Sequence, residues 1–380
     1  MPSGYWPGEI GKSEKGTHLF TVRKKADMKI KNLLITGGCG FIGGNFIRYL
    51  FRQPDFRGRI INVDKLTYAG NPQNLSDIND LYSGRYVFIR ADICDAEQMR
   101  QIFAGYSVDA VCHFAAESHV DRSIKNPASF IETNIMGTFN LLEAARGTSG
   151  FVLFHHVSTD EVYGSLGPDG YFTEETPYRP NSPYSASKAA SDHLVRAYHK
   201  TYGLPATVSN CSNNYGPYQF PEKLIPLIII NAREGKQLPV YGDGKNVRDW
   251  LYVEDHCEAI WTVMKEGKRG DTYNIGGGAE MENITIVEMI CDILDEIASP
   301  LPGRTRRELI AFVTDRPGHD RRYAIDFSKL NTELNWAPRE TFPSGLRKTI
   351  LWYLQNDNWI DQVRTGAYRK WLVEQYGLQR

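Results

Sequence analysis

Two short segments of this chain carry side chains whose types and spacing can do chemistry together. Ser158-Thr159-Asp160-Glu161 sets a hydroxyl beside two adjacent carboxyls, and Tyr184-Ser185-Ala186-Ser187-Lys188 sets a phenol four residues ahead of an ammonium. On a helix that spacing puts both groups on one face, one turn apart. A nearby cation favours phenolate, so Tyr184 is expected to serve as a base well below its reference pKa of about 10. Such a base and a hydride acceptor suffice to oxidise an alcohol. The carboxyls add what loss of water requires: a base for carbon and an acid for the departing oxygen. A lone Tyr-x-x-x-Lys is a weak signal. Beside the acidic pair, and downstream of the glycine turn described next, it reads as catalytic.

The elements that must hold these groups follow from apolar periodicity. Short apolar runs alternate with amphipathic stretches, the pattern of a parallel α/β sheet. Strands are predicted at 32–36, 60–63, 86–89, 110–114, 152–157 and 206–209, and helices at 128–146 and 183–202. The first strand runs into Thr36-Gly37-Gly38-Cys39-Gly40-Phe41-Ile42-Gly43. Gly37 allows a tight turn there, Gly40 lets backbone approach a pyrophosphate, and Gly43 permits close helix–strand packing. A helix beginning near Phe41 aims its free N–H groups at that anion. The second strand ends at Asp64, whose carboxylate can accept from both ribose hydroxyls and repels a 2′-phosphate, so NAD is expected over NADP. Asp92, after the third strand, suits either the adenine amino group or a cap. Past about residue 210 the elements shorten and turn signals such as Tyr241-Gly242-Asp243-Gly244 appear. The predicted organisation is an N-terminal extension (1–27), a Rossmann-type doubly wound parallel sheet (28–210) and a smaller C-terminal α/β substrate-binding domain (211–380), partly interleaved with that sheet.

Composition removes several classes of function. Apolar residues make up 41% and charged residues 23%, with a formal net charge of −1, the profile of an ordinary globular protein without a nucleic-acid surface. The longest apolar run, 224–230, contains Pro226 and is too short to span a bilayer. The six cysteines are widely spaced with no CxxC, and read as reduced, mostly buried thiols of a cytoplasmic protein with no metal site. Residues 1–27 show no strand or helix period and no apolar signal core, and read as an extension ahead of a native start near Met28. His113, His155 and His156 fall in strand patterns and take no role.

The motifs, taken in order, resemble those of extended short-chain dehydrogenases and, more narrowly, the dTDP-glucose 4,6-dehydratases. They are the glycine turn, Asp64-Lys65-Leu66-Thr67-Tyr68-Ala69-Gly70-Asn71, His113-Phe114-Ala115-Ala116-Glu117-Ser118-His119-Val120-Asp121-Arg122-Ser123, Thr159-Asp160-Glu161 and Tyr184/Lys188. The likeness covers about 28–380 and continues through Asn213-Asn214-Tyr215-Gly216-Pro217-Tyr218, Pro221-Glu222-Lys223-Leu224-Ile225-Pro226, Arg248-Asp249-Trp250 and Asp315-Arg316-Pro317-Gly318-His319-Asp320-Arg321-Arg322. The Thr-Asp-Glu triplet separates the dehydratases from sister epimerases and decarboxylases.

The resemblance implies an internal redox cycle on a nucleotide sugar in which NAD is regenerated and retained. Thr159 holds the sugar O4, Tyr184 takes its proton as hydride leaves C4, and Lys188 supports the phenolate and the nicotinamide ribose. Glu161 then removes the C5 proton while Asp160 protonates the C6 hydroxyl, and hydride returns to C6. Burial beside Glu161 is expected to keep one carboxyl of the pair protonated. NAD contacts are implied for Gly37, Gly40, Phe41, Ile42, Gly43, Asp64, Lys65, Thr67, Asp92, Ile93, Ala115, Ala116, Ser118, Thr133, Tyr184, Lys188 and Asn214. Substrate contacts are implied for His119, Thr159, Asn213, Lys223, Leu224, Pro239, Tyr241, Arg248, Asn283, Asp315, Arg316, His319 and Tyr376; His119 reads equally as a structural histidine. The helices at 128–146 and 183–202 resemble a homodimer interface. Two rivals stay close: UDP-glucose as substrate, and C4 epimerisation, which has no need of the carboxyl pair. A binding protein without catalysis has no reason to keep all four groups.

Overall fold

The apolar run 32–36 forms β1 (Asn32–Thr36), and the computed structural model describes residues 30–315 and 318–364 around it. Five further predicted strands appear as β2 (Arg59–Asp64), β3 (Tyr86–Arg90), β4 (Ala110–His113), β5 (Leu153–Thr159) and β6 (Ala206–Cys211). Then follow β7 (Asn213–Tyr215), β8 (Leu238–Tyr241), β9 (Val247–Tyr252), β10 (Thr272–Ile275), β11 (Glu280–Glu282) and β12 (Ile310–Val313). The central sheet has seven strands in the order β10-β6-β5-β4-β1-β2-β3, all neighbours parallel. Strand order reverses between β1 and β4, which opens a crevice at the carboxyl ends of the strands. Beyond the sheet, β11-β9-β7 and β12-β8 make two small sheets. The chain after residue 210 therefore contributes β10 to the central sheet as well as the small ones.

Alternation along β1 sorts its side chains between two cores. Leu33 and Ile35 pack with Phe46, Ile47 and Leu50 of the helix Phe41–Arg52 and with Ile260 of Val253–Glu266. Leu34 packs on the other side with Met99 and Ile102 of Ala96–Tyr106 and with Leu141 and Leu142 of Thr138–Arg146. A separate apolar cluster joins Ile228, Ile290 and Leu346 from the helices Leu224–Arg233, Asn283–Ile297 and Phe342–Gln355. All six cysteines are free thiols, five of them buried, with Cys94 partly exposed. Among the described residues, no helix is long and apolar enough to cross a membrane.

The helix predicted at 183–202 forms as Pro183–Tyr202 for identifiable local reasons. Ser182 caps it by accepting from the Ser185 N–H, Pro183 takes the first position, and Gly203 ends it at φ +69°. The helix predicted at 128–146 is interrupted. Its segment Ile131–Gly137 winds as a π-helix before Thr138–Arg146 resumes the α form. Here the Asn134 carbonyl accepts from Thr138 Oγ1 (2.5 Å) and from Ser191 Oγ (2.7 Å) on the neighbouring helix. Long-range acceptance, invisible to local periodicity, sustains the wider turn. Smaller differences fall at strand ends: β5 runs on to Thr159, β6 to Cys211, and β4 stops at His113. Pairing of Ser158 with Asn210 and Thr159 with Cys211 carries both strands further than apolarity alone indicates.

Gly43 marks the closest packing in the glycine turn. A Cβ there would stand 2.4 Å from the Gly37 carbonyl oxygen, which is backbone and cannot swing away. Gly105, in the exposed part of the helix Ala96–Tyr106, would place a Cβ in open space. Gly43→Ala is expected to lower stability by about 1–3 kcal/mol through overpacking. Gly105→Ala is expected to raise it by roughly 0.5–1 kcal/mol. Urea denaturation of both variants checks the opposite signs; equal midpoints would count against this reading of the turn.

Candidate active site

Two cavities meet at the carboxyl edge of the central sheet. The first, of about 320 Å³, begins at the glycine turn, where Gly37 (φ +72°) would bring a Cβ within 2.7 Å of the Ala115 backbone nitrogen. Gly40, Phe41, Ile42 and Gly43 continue that wall, and the helix N-terminus opens into it. Such a cradle of close backbone and free N–H groups fits a dinucleotide pyrophosphate. Lys65, Thr67, Ile93, Ala115, Ala116, Ser118, Thr133 and Asn214 line the same cavity. Every residue read from the sequence as a cofactor contact thus lies on one wall or another of it.

Asp64 is more constrained than its strand-end position suggests. Its carboxylate accepts from the backbone N–H of Cys39 (3.0 Å) and of Leu66 (2.8 Å), and so bridges the first two strand ends. The second bond holds Leu66 at φ +59°, an uncommon conformation for a bulky residue. Four lone-pair sites on a carboxylate leave capacity for ribose hydroxyls. Asp92 accepts from Cys94 N–H and pairs with the Lys65 ammonium, and it also lines the first cavity.

The catalytic candidates converge where β5 ends. Thr159 is the last residue of the strand, and Asp160 and Glu161 open the 3₁₀ turn that follows, Asp160–Tyr163. Tyr184 and Lys188 face them from the first turns of Pro183–Tyr202, and Tyr184 hydrogen-bonds with Thr159. Asp160 is 1% exposed, and burial pushes its carboxyl well above the ordinary value, with Glu161 and Asp249 adding to that rise. Its Oδ1 lies 3.4 Å from Thr159 Oγ1, while Oδ2 has no hydrogen-bond partner among the described residues. A protonated carboxyl with a bare oxygen is the state an acid needs.

Tyr184 departs from expectation. Its hydroxyl is held well above 10 rather than below it, chiefly by burial and then by Glu161, against which the Thr159 hydrogen bond acts weakly. Lys188 does not reverse this: its Nζ donates to the Val157 carbonyl (2.8 Å) and stands 3.4 Å from His156 Nε2. Desolvation outweighs the cation when both groups are buried. The first-turn position of Tyr184 places it at the positive end of its helix, which favours phenolate modestly.

The second cavity shares Glu161, Asn213, Asn214 and Lys223 with the first. Its remaining walls include His119, Leu224, Pro239, Tyr241, Arg248, Asn283 and His319. Lys223 Nζ donates to the Ser118 carbonyl, and the Arg248 guanidinium lies 4.4 Å over the Tyr323 ring. Three buried polar atoms on these walls, Asn283 Oδ1, Trp250 Nε1 and Gln219 Oε1, have no hydrogen-bond partner among the described residues. Buried polar atoms left so suit a polar ligand. Asp315 does not line the cavity itself but accepts from or pairs with His319 Nδ1 at 2.7 Å. Arg316 and Tyr376 lie outside the described residues.

Several site residues escaped sequence reasoning. Asn134 bonds the Glu117 backbone on both sides and donates to Ser187 Oγ (2.8 Å). Glu222, almost fully buried on both cavity walls, pairs with Arg122 (3.3 Å), whose guanidinium sits 3.7 Å over the Tyr68 ring. His156 and Asp192 lie directly behind Lys188. Asn134, His156 and Asp192 are polar residues inside helix or strand and Glu222 lies in the turn before Leu224–Arg233, so the burial of each shows only once the neighbours are known.

The chain matches the model of the family described as GDP-mannose 4,6 dehydratase over residues 34–349. It is 58% identical over 361 residues to dTDP-glucose 4,6-dehydratase 1 of Escherichia coli K12, covering 90% of this chain and 98% of that one. Among solved structures, dTDP-glucose 4,6-dehydratase from Bacillus anthracis, in complex with NAD, is 47% identical with a TM-score of 0.79, covering 88% of this chain and 99% of that one. The Streptomyces venezuelae dTDP-glucose 4,6-dehydratase, also with NAD bound, is 46% identical with a TM-score of 0.81 and coverages of 87% and 99%. The family description names one sugar nucleotide and these relatives another, and identity near three-fifths over nearly the whole length decides between them. With a glycine cradle, a buried acid and a facing Tyr/Lys pair on one edge, this chain belongs to the nucleotide-sugar 4,6-dehydratase family and, within it, to the dTDP-glucose 4,6-dehydratases.

Proposed function

We propose that the chain converts dTDP-glucose to dTDP-4-keto-6-deoxy-glucose with NAD held in the first cavity and the sugar nucleotide in the second. The observation that carries this reading is the buried Asp160 oxygen, without a hydrogen-bond partner among the described residues, on the wall of the first cavity beside Glu161, which both cavities share. An epimerase needs no group in that state. Bound NAD supplies the hydride acceptor at C4, the hydride donor at C6, and a positive ring that favours phenolate. Tyr184 takes the O4 proton while Thr159 orients that oxygen. The new ketone acidifies C5, Glu161 removes its proton, and the Asp160 carboxyl protonates the departing C6 hydroxyl. With hydride delivered at C6, Glu161 returns a proton to C5; dehydration then consumes no proton overall, so the one taken from O4 must finally restore Asp160. Thr159, bonded to Tyr184 and 3.4 Å from Asp160, joins those two groups. Arg248 and Lys223 suit a diphosphate, the first by its fork and the second as a point charge.

Location in the cytoplasm and assembly as a homodimer belong to this reading. Ile131, Met136 and Phe139 stand 46%, 48% and 37% exposed along the π-helical turn and the helix after it. Three large apolar side chains on one such run favour a second copy as their cover. Light scattering at micromolar concentration is expected to give twice the chain mass; a monomer would refute the dimer.

Turnover of dTDP-glucose in deuterium oxide, without added NAD, tests the reaction. The product is expected lighter by one water and heavier by one deuterium, placed at C5 by NMR. An isomer of unchanged composition would mean epimerisation instead. Asp160→Asn and Glu161→Gln are expected to slow elimination by about 10²–10⁴-fold while C4 oxidation persists. Stopped-flow absorbance of NADH checks this: it should accumulate in both variants and not in the parent, and its absence would remove the carboxyls from the elimination step.

A further inference from the structure

Lys188 is an ammonium buried to 4% exposure, and its hydrogen bond to the neutral Val157 carbonyl does not balance its charge. Buried charges persist when an opposite charge is at hand. Behind Lys188, His156 Nε2 stands 3.4 Å from Nζ and 3.2 Å from Asp192 Oδ1, so the imidazole edge lies between ammonium and carboxylate. The other oxygen of Asp192 accepts from Ser158 Oγ (2.8 Å), Tyr178 Oη (3.0 Å) and Asn210 Nδ2 (3.4 Å). Three donors converging on one carboxylate oxygen favour the ionised form.

Among the described residues, no other group facing this pair carries a compensating charge. His156 and His113 are kept neutral by burial, and the Cys211 thiol is pushed up to about 12. Tyr163 and Tyr178, which face Asp192, are raised by burial and stay protonated. Asp160 and Glu161 act on Tyr184 rather than on Lys188. Asp192 is the acid that raises Lys188, against the lowering effect of burial.

We propose that Asp192 is the buried counter-charge that keeps Lys188 an ammonium by charge attraction and fixes it beneath the reacting centre, with the neutral His156 imidazole packed between them. Both are positioning residues, since neither lines either cavity. The assignment of a catalytic task to Lys188 rests on the dehydratase reading; the charge pairing does not. A cofactor carrying a positive ring beside Lys188 makes the need for Asp192 greater, because it adds a second cation to the same buried neighbourhood.

Thermal melting with excess NAD between pH 5 and 9 tests the pairing on the parent, Lys188→Met, Asp192→Asn and the double variant. In Lys188→Met the Asp192 carboxyl loses its cation, so its folded pKa rises further above the unfolded value. Stability is then full at low pH and lost as pH rises. In Asp192→Asn the lysine has its folded pKa depressed below the unfolded value, so stability is lost as pH falls. The two single variants should therefore slope in opposite directions against the parent, and the double variant should follow the parent. Activity adds a second readout: the alkaline limb of kcat in Asp192→Asn should move down by about one pH unit or more. Parallel slopes in both single variants would overturn the proposal. Should Asp192→Asn fail to fold, the slope of Lys188→Met decides alone. A parent that melts as described but leaves dTDP-glucose unchanged would refute the reaction and not the pairing.

Discussion

One buried hydrogen bond, from the Lys188 ammonium to the Val157 carbonyl, sets how the helix Pro183–Tyr202 lies against β5. Apolar contact is non-directional and would tolerate sliding of one element along the other. A charged donor on a single backbone carbonyl does not. One turn before that lysine is Tyr184, and two residues after that carbonyl is Thr159, so the bond fixes their meeting. The same helix is tied on its other side, where Ser191 Oγ donates to the Asn134 carbonyl and Ser187 Oγ accepts from Asn134. The π-helical turn at Ile131–Gly137 is thus part of the apparatus that positions the helix, and it brings Thr133 to the first cavity.

The strand order places chemistry at one point. Reversal between β1 and β4 opens the crevice, and β5, next to β4, delivers its last residues into it. The two cavities share walls at Glu161, Asn213, Asn214 and Lys223. A group bound in one is therefore presented to a group bound in the other across the end of β5. Glu161 at the shared wall can reach a carbon in the second cavity, while Asp160 behind it is shut away from water. Adjacent in sequence, the two carboxyls occupy different environments, and that difference separates an acid from a base.

Much of this was legible in the chain because its causes are local. The apolar runs of β1 to β6 and the Ser182-Pro183 helix start need no knowledge of distant residues. Neither do the glycines at 40 and 43, since a Cβ there meets the backbone of Gly37 and Gly38 only a few residues away, whereas Gly37 is crowded by Ala115 far along the chain. What was not legible depends on neighbours far along the chain. The helix at 128–146 breaks because Ser191 donates to Asn134, 57 residues away. β10 joins the central sheet after sixty residues (212–271) spent elsewhere, by pairing with β6. Asp192 has the spacing of an ordinary helix surface residue, and only the packed strand shows that its face is interior. Glu222 is hidden in the same way by Arg122, 100 residues earlier.

The base strength of Tyr184 shows why motif chemistry and site chemistry differ. A Tyr–Lys pair in water lowers the phenol, because the cation is the main change in its surroundings. Burial alters both partners at once: it raises Tyr184 and lowers Lys188, each toward its neutral form. The same loss of water raises Asp160, where neutrality is the useful state. One environment therefore keeps the acid protonated but also keeps the phenol from ionising, and the two effects must be separated if both groups are to act. A positive charge closer to the phenol than to Asp160 separates them, because Coulomb attraction falls with distance. In the parent chain that charge is held in reserve, an ammonium balanced from behind by Asp192, and a cationic ring in the first cavity adds to it from the front. Oxidation is thereby coupled to occupancy of the cavity, whereas the acid for elimination stands ready in the folded chain.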